Sequence, residues 1–151
     1  MAMKTGFQPS IIYEDPKAAM RWLAEAFGFD VAIYIEAEDG GFVHCQMSYG
    51  EHLVSVGQEW DEPYKSPLHV GGKNTQITSV SLDSDVDAHC ERARAAGAVI
   101  VAEPETQFYG DRTYRCRDPE GHHWSFGQAV ETVTREEAEA RLPGVKITGW
   151  V

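Results

Sequence analysis

No stretch of the chain approaches the roughly 20 apolar residues that a membrane-spanning helix needs, and the opening MAMKTGFQ lacks the apolar core of a secretory signal. Cysteine is scarce. Cys45, Cys90 and Cys116 are odd in number, widely spaced and without a CxxC pair, which argues against a disulfide framework and fits free thiols in a reducing compartment. Basic residues are outnumbered, 13 Lys and Arg against 24 Asp and Glu, for a formal net charge of -11. Nucleic acids and anionic membranes require clustered cations that release counterions, so neither is expected as a partner. These shortages place the chain in the cytoplasm, with solubility as the plain reading of its acidity. What is present, 151 residues of which 42% are hydrophobic, suffices for one compact domain or for two small modules sharing a core.

Two phrases, HLVSVGQ (His52 to Gln58) and HHWSFGQ (His122 to Gln128), share His, Ser, Gly and Gln at places 70 positions apart. The same shift lays Asp15 on Asp85 and Ala18 on Ala88. Each Asp is an N-cap, able to accept from the free amides of a first helical turn. Pro16 suits the first helical position, PKAAMRWLAEAF carries Ala19, Met20, Leu23 and Phe27 at three- and four-residue spacing, and Gly28 stops the helix. The second helix runs through DVDAHCERARAAG from Asp85 to Gly97, with Val86, Cys90 and Ala93 on one face. The shift slips by one residue at these glycines, so a small insertion or deletion lies nearby.

Before each helix stands a run rich in β-branched or aromatic residues, QPSIIY (Gln8 to Tyr13) and QITSVSL (Gln76 to Leu82). After each come three strand candidates: VAIYIEA, FVHCQMS and HLVSVGQ, then AVIVAEP, RTYRCR and HHWSFGQ. Asp39-Gly40-Gly41, Gly50 and DPEG (Asp118 to Gly121) supply turns. Each copy reads βαβββ, an α+β arrangement, in residues 1–58 and 76–128. Residues 59–75 read as a linker, and residues 129–151 as a tail in which Thr134 and Glu137 cap a helix, REEAEARL, that packs outside or on a partner chain.

The second copy, DVDAHCERARAAGAVIVAEPETQFYGDRTYRCRDPEGHHWSFG, resembles the PhnB-like, glyoxalase-related branch of the vicinal oxygen chelate superfamily. That superfamily includes glyoxalase I, bleomycin-resistance proteins, fosfomycin-resistance enzymes and extradiol dioxygenases. Members of the branch typically read D-V-D-A, A-G-A, Q-F-W-G-D-R and R-D-P-x-G-H-x-W-S. Here Tyr109 replaces the Trp, while Gln107, Phe108, Gly110, Asp111, Arg112, Asp118, Pro119, Gly121, His122, Trp124 and Ser125 stand in order. The likeness covers residues 7 to 128. It implies two tandem modules whose curved mixed sheets carry helices on their convex faces and surround a ligand cavity, in a chain that forms homodimers.

In metal-dependent members the ligands come from the first and last strands of each module. A His, Gln or Glu sits seven residues before the helix-starting Asp, and a Glu four residues after the hairpin Gly. The resemblance thus points to Gln8, a weak ligand, and to Ser125 and its repeat mate Ser55 where Glu is expected. In the second module's first strand the constant shift selects Thr78, whereas an extra residue before Asp85 would turn Ile77 inward instead. Hydroxyls bring no charge, while structural zinc sites rest on ~10–16 kcal/mol from thiolate and imidazole donors. The expectation is therefore no metal and no cofactor; a divalent metal belongs to the alternative in which ligands lie in another register. No nucleophile–base pair stands out, so catalytic residues are unassigned.

Alternation puts Val54, Val56, Trp124 and Phe126 toward the helices, and Leu53, Ser55, Gly57, His123, Ser125 and Gly127 toward the cavity with Gln8, Ser10 and Ile12. His123 is read as a pH-sensitive ligand contact or a hydrogen-bonded rim group. Trp60, with Tyr64, either plugs onto the core edge or covers a pocket mouth. Tyr109 and Arg112 border the cavity in similar proteins, where Arg112 either clamps an anionic substituent or pairs with a carboxylate such as Asp111 or Asp118. The expected pocket is Gln8, Ser10, Ser55, Trp60, Thr78, Tyr109, Arg112, His123 and Ser125, suited to a flat or aromatic small molecule. The function expected is a homodimer that holds a small organic molecule in the manner of bleomycin-resistance proteins, for sequestration or resistance. The alternatives are a metal-dependent lyase, isomerase or dioxygenase of the glyoxalase type, and an interaction protein using its C-terminal helix.

Overall fold

The computed structural model describes residues 5–150. The chain runs β1 (Ser10–Tyr13), α1 (Pro16–Phe27), β2 (Asp30–Glu36), β3 (Phe42–Tyr49) and β4 (His52–Gln58). A single 3-10 turn at Pro67–His69 interrupts the connecting segment. Then follow β5 (Ile77–Leu82), α2 (Val86–Ala95), β6 (Val99–Thr106), β7 (Asp111–Arg117), β8 (His123–Ala129) and α3 (Arg135–Arg141). Both βαβββ units are present, as the repeat requires. Two four-stranded mixed sheets result, ordered β1-β4-β3-β2 and β5-β8-β7-β6, in which β1 is parallel to β4, β5 is parallel to β8, and the other pairs are antiparallel.

The helix ends follow the sequence signals. Asp15 and Asp85 accept from the amides of Ala18 and Ala88 at 2.9 and 3.0 Å, and Gly28 closes α1 in the left-handed conformation that only glycine adopts without strain. Thr134 and Glu137 form both halves of the capping box on α3.

The helices lie side by side, and one aromatic cluster joins the modules. Phe27, at the end of α1, packs 5.3 Å from the ring centre of Trp124 and 4.6 Å from that of Phe126, both on β8. His89 on α2 reaches the Phe27 carbonyl through Nε2 at 3.0 Å and the Tyr114 hydroxyl through Nδ1 at 2.7 Å. A carbonyl only accepts, so Nε2 carries the proton and Nδ1 accepts from Tyr114. Burial, the larger effect, lowers the His89 pKa, and the ring is held neutral.

A second joint forms at the β7–β8 loop. Asp118, 3% exposed, accepts from the Tyr13 hydroxyl at 2.7 Å and from the Trp124 indole at 3.1 Å. Its other oxygen takes the amides of Glu120 and His122. Glu120 in turn accepts the amides of Glu14 and Asp15 and the Ser66 hydroxyl, and His122 Nε2 donates to the Ile12 carbonyl at 2.7 Å. The tail folds back on the β6–β7 turn. Gly110 has φ +102°, and a Cβ there would collide with the Glu131 carbonyl oxygen.

Candidate functional site

The two repeats close differently, and a cavity lies beside the shorter closure. The second module's final hairpin has a five-residue loop, Asp118 to His122, between β7 and β8, long enough to carry the Asp118 and Glu120 contacts onto β1. Its counterpart in the first module is a two-residue turn, Gly50 and Glu51, between β3 and β4. That turn has no carboxylate at the Asp118 place, where the 70-residue shift finds Ser48. His122 is thus bonded to β1, while its mate His52 is exposed and lines a cavity beside β5.

This cavity holds about 650 Å³. Tyr49 gives it an aromatic face, backed by the buried rings of Phe29 and Trp124, with Phe29 centred 5.7 Å from both other rings. Gln8, His52, Ser79 and Ser81 supply polar groups at its edge, and Phe7, fully exposed, stands at the mouth. Burial first, and Asp83 second, push the Tyr49 phenol above its usual pKa, so it meets a ligand as a neutral hydroxyl. A smaller cavity of about 430 Å³ lies at the opposite end of the β1–β5 junction, between Ser10, Ile12, Thr78, His123 and the connecting segment.

The anticipated pocket residues are only partly gathered here. Gln8 donates to the Ser55 hydroxyl at 2.8 Å on the helix-free face of the first sheet, beside Gln46, which is in register with Ser55. The buried Gln46 carbonyl oxygen has no hydrogen-bond partner among the described residues. Ser10 and His123 line the smaller cavity. Thr78 lines both cavities but is in register with Trp124, so it shares the helix-side face. The extra residue in β5 causes this. Ser10 pairs with Ser55 and Ser79 with Ser125, so Ile77 rather than Thr78 is the true mate of Gln8. Ser125 lies on the helix-free face between Ser79 and Arg115.

Three anticipated residues lie elsewhere. Arg112 is on the helix side, where both its Nε and Nη2 donate to Asp87 of α2 at 2.8 Å, so it clamps a carboxylate of its own chain and not a ligand. Asp87 is held below its usual pKa by that contact. Trp60 and Tyr64 stack on each other at 4.4 Å, 66% and 43% exposed, and line neither cavity. Tyr109 packs edge-on against Phe108 in the β6–β7 turn, also outside both cavities.

Sequence reading passed over these aromatic rings, because Phe29 and Tyr49 flank strands and read as core. It also passed over Arg115 and Arg117. In β7 the residues Tyr114 and Cys116 are buried, which turns Arg115 and Arg117 to the helix-free face, in register with Ser125 and His123. Strand alternation alone would have found them.

The four positions that hold metal in related proteins carry Gln8, Ser55, Ile77 and Ser125, which are one amide, two hydroxyls and an alkyl group. Ser55 already accepts from Gln8, and Gln46 adds a single neutral oxygen. This set lacks the charge a divalent cation needs to leave water, and among the described residues no three His, Cys, Asp or Glu side chains converge. The residues do not fit a resident metal.

The crystal structure of TioX from Micromonospora sp. ML1 is similar, at 32% identity and a TM-score of 0.68, covering 84% of this chain and 100% of that one. A glyoxalase/bleomycin resistance protein from Streptomyces sp. CB03234 shares the fold at 20% identity and a TM-score of 0.61, over 80% of this chain and 97% of its own. The uncharacterized protein Mb0911c of Mycobacterium bovis is 29% identical over 144 residues, 93% of each chain. With the family model matching residues 7–126 and the paired βαβββ sheets in place, the chain belongs to the glyoxalase/bleomycin resistance protein/dioxygenase superfamily.

Proposed function

We propose that this chain binds a flat, aromatic small molecule without a resident metal, as a sequestering or resistance protein. The observation that carries the reading is the 650 Å³ cavity faced by Tyr49, Leu53 and Ile77 and backed by the buried Phe29 and Trp124 rings. Its size falls within the roughly 300–1,000 Å³ of ligand pockets, and a mostly apolar wall with a few polar groups suits such a compound. Aromatic rings favour offset or edge contacts with a flat guest. The neutral Tyr49 hydroxyl and the Gln8 amide are available to orient it. The donor set at the superfamily's metal position supports a reading without metal chemistry.

Homodimerisation belongs to the same proposal. The outer strands leave Val31, Ile35, Val99 and Val101 each 45–49% exposed, apolar area that a second copy would cover. Three buried free thiols support a cytoplasmic setting. The run QFYGDR with RDPEGHHWS supports placement in the PhnB-like branch. A thermal-shift screen with aromatic antibiotics and with nickel, zinc and iron(II) tests the function. Stabilisation by an aromatic compound, undiminished by chelator, is expected. Stabilisation by metal alone, or activity lost in chelator, would replace the reading with a metal-dependent enzyme.

A further inference from the structure

A pair of adjacent cations stands on the helix-free face of the second sheet, whereas Arg21, Lys73 and Lys146 are single and lie on other elements. Arg94, Arg112, Arg135 and Arg141 are ion-paired, and Arg92 donates to carbonyls of α1. Among the described residues the guanidinium groups of Arg115 and Arg117 have no partner, although the chain carries 24 carboxylates. They stand two residues apart on β7, so both point to one face. Across β8 they meet Ser125 and His123, and one strand further Ser79 and Ile77, which line the larger cavity. Two strand spacings amount to about 10 Å. An extended ring system resting on Ile77 therefore presents a substituent to the arginines.

We propose that Arg115 and Arg117 form an anion subsite, and that the ligand is an aromatic acid whose carboxylate or other oxyanion lies on this pair. The proposal rests on the small-molecule reading above and names the ligand class. A chain of net charge -11 repels anions at long range, so a site for one requires local cations. Arginine forks match an oxyanion geometrically and stay charged at any physiological pH. The Ser125 hydroxyl, between the arginines and Ser79, is free to donate a further hydrogen bond. Glu105, in register with Thr113, lies one pair along β7 on the side away from Arg117 and leaves the Arg117 end open.

Titrations of nitrogen-labelled protein with naphthoate and naphthamide, which share a ring and differ in charge, test this directly. Naphthoate is expected to bind about tenfold more tightly than naphthamide, the worth of one charged hydrogen bond, and to shift the Nε–H signals of Arg115 and Arg117. In R115Q/R117Q the preference should vanish while naphthamide affinity is unchanged. Equal binding of the two compounds to the native protein would sink the subsite and leave the cavity reading standing. No binding of either at millimolar concentration would sink both. An R115Q/R117Q chain that becomes monomeric yet keeps its naphthoate preference would assign the pair to the subunit interface instead. The side-chain signals of the native protein give the answer even if the double variant does not fold.

Discussion

Substituting Tyr13→Phe removes one oxygen atom from the joint between the modules. In the native chain that oxygen donates to Asp118 at 2.7 Å, with Tyr13 only 1% exposed. The carboxylate keeps three donors in the variant: the Trp124 indole and the amides of Glu120 and His122. A hydrogen bond to a charged group contributes ~1.5–3 kcal/mol net, so the loss should be about 2 kcal/mol. For a domain of this size each kcal/mol moves Tm by ~2–4 °C, giving a fall of ~4–8 °C. Asp118→Ala is expected to cost more, ~4 kcal/mol or above, because it strands the Tyr13 hydroxyl, the indole and two amides together. Urea unfolding of both single variants and the double variant measures the coupling, which should exceed ~1 kcal/mol for groups in contact. Tyr13→Phe lying within ~0.5 kcal/mol of the native protein would refute the joint as described.

Three further outcomes follow from buried groups. The His89 ring is neutral in the fold and its pKa is lowered mainly by burial, so the unfolded chain takes up a proton first as pH falls. Stability should be fully present above about pH 6.5 and decline below it, with a shallower slope in His89→Gln; parallel slopes for the two proteins would contradict the neutral ring. Burial raises the thiol pKa of Cys90 to about 11 and of Cys116 to about 12, and also raises that of Cys45. A thiol reagent at about pH 8 should label none of the three until urea is added, and rapid labelling of native protein would show that the core is open. Gly110→Ala should cost ~2 kcal/mol or more through its positive φ and the Glu131 carbonyl, read as a lower urea midpoint; an unchanged midpoint would show that the tail does not pack there.

The fold was legible because the repeat is written in residues with few alternatives. Asp15 and Asp85 cap helices, Gly28 ends one, and the phrases around Ser55 and Ser125 are closing strands in the same register. The site was less legible, since it depends on pairings far apart in sequence. The choice between Thr78 and Ile77 required the β5–β8 register, which a single inserted residue alters. Arg112 finds Asp87, 25 positions upstream on a helix, and no local spacing announces that pair. The larger cavity lies beside the shorter of two hairpins that the shared phrase makes look alike. Arg115 and Arg117 are readable by alternation with the buried Tyr114 and Cys116.

Ligand binding without metal, in a member of a superfamily known for metal chemistry, is open to a direct measurement. Isothermal titration of an aromatic ligand found in the screen, run once in chelator and once with added zinc or nickel, tests it most directly. The same affinity and one site per chain are expected in both, lost on blocking the cavity with Ser79→Trp. Binding that appears only with metal and disappears in Gln8→Ala would contradict it.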